Sequence, residues 1–447
     1  MAQIMLIIMS AILMLAMFAY GRARKTDFDM LDMFFLMVML YFGVYSFIDA
    51  MVNEVVGKSA LVVMDTFILI FTALFATRLL YLKLPLRVRN VLQFNYLINQ
   101  WADVDHKVVG FFAASVVAFS VYIYFDFGIL ATYSGVELEL LGISAPSWVG
   151  PVKSLMSGIG FAVYVFIVAS LLKGKIKLLS IFNVVMFVMT AILALEGRRA
   201  TLELLLVAFV MWSCSRRRNV YSIKYVPYVV SLFILIILAS NIYQTYRQDL
   251  FSIEARIENR EITGVIPALA NIDATIDNLK DRSAMWNFNY MIMSEQVDNI
   301  SKIFYGDLGW QAFLNSIPTL LWRSKEVVDI DEMIATFYGF EMIDYPTNNF
   351  ACLLADYGIL MIVAIPIIYF VVLFLVAYCH FRFPSKPLFL LVSTFSLQYL
   401  IKVENSYGDI FVLLRNVILL IVLFIIVRWI SHSSRIVARA NYYDRAS

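Results

Sequence analysis

The chain has 447 residues, of which 62% are hydrophobic and only 15% charged, with a mean hydropathy of +0.81 and a formal net charge of +2. Soluble globular domains carry charge on about a quarter of their residues, so this composition excludes an ordinary soluble domain. Apolar runs long enough to cross a roughly 30 Å hydrocarbon layer recur along almost the whole sequence, which predicts an all-α polytopic integral membrane protein with no nucleic-acid partner.

The first apolar run, Ile4 to Tyr20, has no positively charged segment before it and no small-residue cleavage site after it, so it reads as a permanent span. Ten further runs follow, near 30–49, 59–82, 108–126, 151–172, 178–195, 201–215, 225–246, 349–379, 388–401 and 409–429, giving eleven transmembrane helices. With the first span entering from outside, the short inner loops and the tail hold 19 lysines and arginines. The short outer loops hold five: Lys58, Lys153, Arg198, Arg199 and Lys402. That asymmetry puts the N-terminus outside and the C-terminus in the cytoplasm. The chain divides into spans over 1–246, one long outer loop over 247–348, spans over 349–430 and a tail over 431–447.

A connection of about a hundred residues is too long for a plain loop and is the expected home of specialised chemistry. From Arg247 to Thr347 it holds sixteen Asp/Glu and eight Lys/Arg. Stretches such as "AMWNFNYMIMSEQVDNISKIF" and "GWQAFLNSIPTLLW" mix aromatic residues and charge at helical period, which predicts helices lying against the membrane surface.

Inner-side cations are explained by orientation alone, so the outer ones carry the information. Within "LEGRRAT" (195–201), Arg198 and Arg199 stand in a connection of a few residues between two apolar runs. Guanidinium groups held at that depth suit a phosphate, to which the planar fork donates paired hydrogen bonds at any physiological pH. Glu196 and Glu203 flank the pair and offer the competing role of neutralising it. A second group is "DNLKDRSAMW", where Arg282 is expected to open an amphipathic helix. A third is "SIPTLLWRSKE", which sets Trp322, Arg323 and Lys325 on the bilayer surface. The fourth is "YPTNNFACLLADYG", leading into a span with Asp356 below the surface. An intramembrane carboxylate normally faces a water-filled cavity or a cation, and Arg415 in the last span is the candidate partner, in a functional or a purely structural pair.

Absences narrow the chemistry. The three histidines, His106, His380 and His432, all fall on the inner side, so an outer-face proton acceptor must be a carboxylate. The triplets Asp103-Val104-Asp105 and Asp329-Ile330-Asp331 are of a kind that arises readily by chance. The three cysteines make no CxxC and no external set, so neither metal nor disulfide is expected.

The order of these pieces resembles the Wzy oligosaccharide repeat-unit polymerases, which include the O-antigen and enterobacterial common antigen polymerases. The shared features are an outer-face Gly-Arg-Arg at the start of a mid-chain span, a long outer loop with "IPTLLWRSK", a Pro-Thr before the next span, and a final span with an arginine. "GRRAT" is similar to the family's Gly-x-Arg-Ala segment, which favours Arg199 over Arg198; Arg323 stands where the family usually has proline. The likeness covers roughly Leu178 to Val417 at motif level and the first third only in hydropathy.

The resemblance implies a bacterial inner-membrane enzyme working on its periplasmic face, with a fold like the C-type membrane glycosyltransferases. It implies undecaprenyl-pyrophosphate-linked oligosaccharides as donor and acceptor, membrane lipid around them, a chain-length regulator protein as partner, and no cofactor. The chemistry suits the residues: arginines set near a leaving lipid pyrophosphate stabilise charge that grows in the transition state, and Asp356 or Glu295 is the candidate base for the acceptor hydroxyl. An O-antigen ligase, a group that typically uses an outer-face histidine, and a lipid-linked oligosaccharide flippase or other transporter, expected to show inverted repeats and broken spans, are the alternatives.

Overall fold

The structure, a computed structural model, describes residues 1–24, 28–52, 58–127, 146, 148–175, 198–216, 272–318, 321–322, 324–325, 328–340, 347–403 and 408–444. Among them every named element is helical, and the one strand-like pairing is an isolated bridge between Asp29 and Gln93. Seven helical stretches are long and apolar enough to cross a membrane: Ala2–Ala23, Met30–Met51, Ala60–Leu82, His106–Phe127, Val149–Leu172, Asn349–Arg382 and Gly408–Ile426. Two shorter apolar helices, Glu203–Ser215 and Lys386–Ile401, accompany them. The protein is therefore an all-α, multi-pass membrane protein. The spans expected at 178–195 and 225–246 lie outside the described residues.

Helix α1 is Ala2–Arg24. The second span begins as α2 (Met30–Val38), passes through a π-helical stretch at Met39–Tyr45 and ends as α3 (Ser46–Val52). Its start is fixed by a reciprocal cap in which Asp29 accepts from the Asp32 N–H and Asp32 from the Asp29 N–H, at 3.0 and 2.8 Å. There follow α4 (Ala60–Leu82), two short helices α5 (Leu86–Val91) and α6 (Phe94–Ala102), α7 (His106–Phe127) and α8 (Val149–Leu172). Then come α9 (Arg198–Ser215), α10 (Ile272–Asp298), α11 (Asp307–Ser316), α12 (Ile330–Tyr338) and α13 (Asn349–Tyr357). The chain continues through α14 (Met361–Arg382), α15 (Lys386–Ile401) and α16 (Gly408–Asp444).

The expected single span at 349–379 is two antiparallel pieces. Phe34 on α2 stacks on both Phe350 and Tyr369, with ring centroids 6.2 and 3.9 Å away. Those two residues are nineteen positions apart, which in one straight helix would separate them by about 28 Å. The helix breaks instead at Gly358, whose φ of +57° favours glycine, and α14 runs back alongside α13. Helix α13 is a half-length element whose N-terminal end is buried beside the middle of α14. Asn348 caps it by accepting the Ala351 N–H at 2.9 Å, and the Asn349 amide donates to the Tyr399 hydroxyl on α15 at 3.3 Å.

The bundle has two distinct ends. At one, Asp103 pairs with Lys175 and, at 3.3 Å, with Lys386; these hydrogen bonds hold its carboxyl below the usual carboxylate range. His106 packs on Phe166 and His380 contacts Tyr96 at this same end. Just within the helices there, Arg78 of α4 is buried with its Nη1 at 3.1 Å from Asp29 and 3.8 Å from Asp32. Tyr20 donates to Asp32 at 2.5 Å. At the opposite end lie Lys58, Lys153 and Lys402, together with the helices that precede α13 from Ile272 to Tyr338. The two triplets of aspartate sit in local structure: Asp329 caps α12, and Asp105 accepts the Lys107 N–H.

Candidate functional site

The long segment is bound to the ends of the spans by aromatic and amide side chains of α10. Trp286 donates its indole N–H to Asp49 at 2.7 Å, and the Tyr290 hydroxyl accepts the Ser59 N–H at 2.8 Å. Lys58 stands over both rings, 4.5 Å from the centroid of Trp286 and 5.1 Å from that of Tyr290. Burial there draws the Lys58 ammonium below its usual pKa. Lower on the same helix, Gln296 donates to the Leu354 carbonyl at 2.8 Å and to the Tyr338 hydroxyl at 2.9 Å. Burial pushes that hydroxyl up to about 12. Glu295 pairs with Lys302 at 2.6 Å on a partly exposed surface. Helix α10 is described from Ile272 to Asp298, so Arg282 stands within it rather than opening it.

Three of the charged residues singled out in the sequence converge on the ten-residue helix α11. Asp356, fully buried, accepts the N–H groups of Gly306 and Leu308 on one oxygen, at 2.8 and 3.2 Å, and that of Gly309 on the other at 3.0 Å. At the far end of α11, Lys325 donates to the carbonyls of Leu314 and Asn315, at 3.1 and 2.9 Å, and to that of Ile317. Arg415 donates to the Ser316 carbonyl at 3.0 Å. A carboxylate at the start and two cations at the finish satisfy the end groups a short helix leaves open, and each sits where the helix dipole favours its sign. Burial, and then the neighbouring Arg415 charge, lower the Lys325 pKa. The expected Asp356–Arg415 pair is thus not formed: each charge serves an opposite end of one helix. On α11 itself Trp310 and Phe313 stand exposed, as do Leu321 and Trp322 just beyond it, giving the segment an apolar outer face.

Beside this clamp a cavity of about 320 Å³ opens between three spans. Helix α8 contributes Lys153, Ser154 and Ser157; α15 contributes Gln398 and Tyr399, and Lys402 follows at its C-cap. Asp409 and Asn416 come from α16. Asn416 joins cavity to clamp, since it donates to Ser154 at 3.3 Å and its Oδ1 accepts from Arg415 Nε and Nη2 at 3.2 Å each. Part of the wall exists because Gly158 has no side chain: a Cβ there would lie 2.4 Å from the Phe395 ring. Two of the five outer-loop cations counted in the sequence, Lys153 and Lys402, therefore share one cavity. Sequence reasoning missed it, although that count carried the signal.

Arg198 and Arg199 lie in α9 as it is described; their side chains, and residues 176–197 before them, are not among those described. Their depth follows from register. Helices α8 and α9 run in the same direction: α8 finishes beside Asp103 through Lys175, and Cys214 near the finish of α9 lies within electrostatic reach of Asp32. The Tyr164 hydroxyl donates to the Leu204 carbonyl at 2.8 Å. Six residues upstream of each stand Gly158 and Arg198, so Arg198 is about level with the inner part of the cavity. Arg323 lies outside the described residues, and Trp322 makes a local bond to Ser324 at 3.2 Å.

Comparisons with protein-family models, with curated proteins and with solved structures give no match.

Proposed function

We propose that this chain is a Wzy-type repeat-unit polymerase of a bacterial inner membrane, with its site on the periplasmic face. The observation that carries the reading is the meeting of features at one end of the bundle. Helices α10 to α12 are clamped there, a cavity holds Lys153 and Lys402, and Arg198 and Arg199 stand on α9 at about the cavity's depth.

In this reading the hydroxyl of a new lipid-linked unit attacks C1 of the growing glycan. The bond from C1 to the pyrophosphate oxygen breaks, and the lipid pyrophosphate leaves with the electron pair. Arg198 and Arg199 on α9 stabilise that departing charge. Asp356 holds α11 in place beside the site, and among the described residues Glu295, or Asp409 in the cavity lining, is the carboxylate proposed to take the hydroxyl proton. The histidines with described side chains, His106 and His380, stand at the Asp103 end, which weighs against the ligase.

One observation favours a second reading. Helix α13 is a half-length, buried element, and broken helices of that kind line transporter sites, as in a flippase for lipid-linked oligosaccharide. The glycan pattern of cells separates the two. Arg199→Ala is expected to cost about a hundredfold in polymerisation, roughly 3 kcal/mol, and to leave single repeat units on the surface with the protein still in the membrane. Unchanged long chains would overturn the polymerase, and loss of all surface repeat units would favour the flippase.

A further inference from the structure

The cavity between α8, α15 and α16 is lined mainly by neutral groups that hydrogen-bond. Ser154, Ser157, Gln398, Tyr399 and Asn416 come from three different helices, and together they present both donors and acceptors. The two lysines are accompanied by a carboxylate, Asp409, in the same lining. A pyrophosphate, acceptor-only and multiply charged, gains from the lysines but is repelled by Asp409 and finds no use for the amide and hydroxyl acceptors. A sugar hydroxyl both donates and accepts, so it suits a lining of hydroxyls, amides and both signs of charge, in which Asn416 and Tyr399 are themselves held by Arg415, Ser154 and Asn349. The Phe395 ring, brought close by Gly158, adds an apolar patch of the kind that meets the C–H face of a pyranose. At about 320 Å³ the cavity falls within the range of small-molecule sites, about 300–1,000 Å³.

From this lining we infer that the cavity is a saccharide subsite: it holds a sugar of the repeat unit by its hydroxyls, while the lipid pyrophosphate is held elsewhere, toward Arg198 and Arg199 on α9. The inference deepens the polymerase reading and rests on it. It divides the substrate between two neighbouring places, glycan between α8, α15 and α16 and leaving group at Arg198 and Arg199. Asn349 positions the wall of the subsite by donating to Tyr399, so the buried start of α13 acts on the cavity without lining it.

The test is binding to the purified full-length protein in nanodiscs, with two probes. One is the oligosaccharide released by mild acid from the native strain's lipid-linked unit, free of lipid and phosphate; the other is undecaprenyl pyrophosphate in the disc lipid. Ser157→Trp, which fills the cavity, and Gln398→Ala, which removes one polar group without adding bulk, are compared with the parent at matched thermal stability. The oligosaccharide is expected to bind at least about tenfold more weakly to Ser157→Trp, a loss of about 1.4 kcal/mol, and measurably more weakly to Gln398→Ala. Both variants should hold undecaprenyl pyrophosphate as the parent does. If both variants bind the oligosaccharide like the parent, or if they lose the lipid pyrophosphate instead, the saccharide subsite is overturned and the polymerase reading stands. If the parent binds neither probe, the polymerase reading falls and takes the subsite with it.

Discussion

Replacing Asp356 by alanine is expected to release helix α11 from the membrane core and to lower activity through that release. Its two oxygens accept three backbone N–H groups in a buried setting, so truncation leaves those donors unmade. A buried donor without a partner costs about 1–3 kcal/mol, which puts the total at about 3 kcal/mol or more. Asp356→Asn keeps one acceptor oxygen and turns an N–H₂ toward a backbone N–H, so an intermediate loss is expected. Hydrogen exchange over residues 306–316, measured with activity, distinguishes anchor from base. An anchor predicts that exchange quickens and activity falls together, in the order alanine then asparagine. A base predicts that Asp356→Asn abolishes activity while exchange is unchanged.

The largest structural effect is expected at the other end of the bundle. Arg78 is buried within α4 against Asp29 and Asp32, and those two carboxylates also hold the start of α2 through their reciprocal cap. Arg78→Met removes the cation and leaves the carboxylates in a medium of low dielectric constant, at a cost of about 3–5 kcal/mol. Combining it with Asp29→Asn removes one of the stranded charges and should recover part of that loss. Thermal unfolding in detergent reads both steps. A change below about 1 kcal/mol for Arg78→Met would show that the pair contributes no net stability.

Hydropathy made most of the spans legible, because a stretch such as Ala60–Leu82 must be apolar along its whole length to meet the hydrocarbon. The same property hid the turn at Gly358. A sum over apolar residues is blind to direction, so α13 and α14 read as one long span, and the Asp-Tyr-Gly that ends α13 was the sole local mark of a break. Three of the charged residues picked out near the loop, Asp356, Lys325 and Arg415, hold its helix α11, but their partners were not legible. Asp356, Lys325 and Arg415 bind backbone groups of α11, and sequence pattern registers side chains rather than free N–H and C=O groups. Arg78 escaped notice because a single arginine near the end of an apolar run looks like an orientation signal. Asp29 and Asp32 lie far from it in sequence, so their pairing with it could not be seen. Lys153 and Lys402 were counted as outer cations, yet nothing in their spacing of more than two hundred residues shows that they share a cavity.

The central claim, that this bundle end joins lipid-linked repeat units, is tested most directly with purified protein in nanodiscs given only the native strain's undecaprenyl-pyrophosphate-linked repeat unit. The polymerase reading predicts a ladder of two-, three- and higher-unit glycans on lipid, with one undecaprenyl pyrophosphate released per bond formed and no nucleotide sugar added. Recovery of the repeat unit at its original length, with no lipid pyrophosphate released, would contradict it.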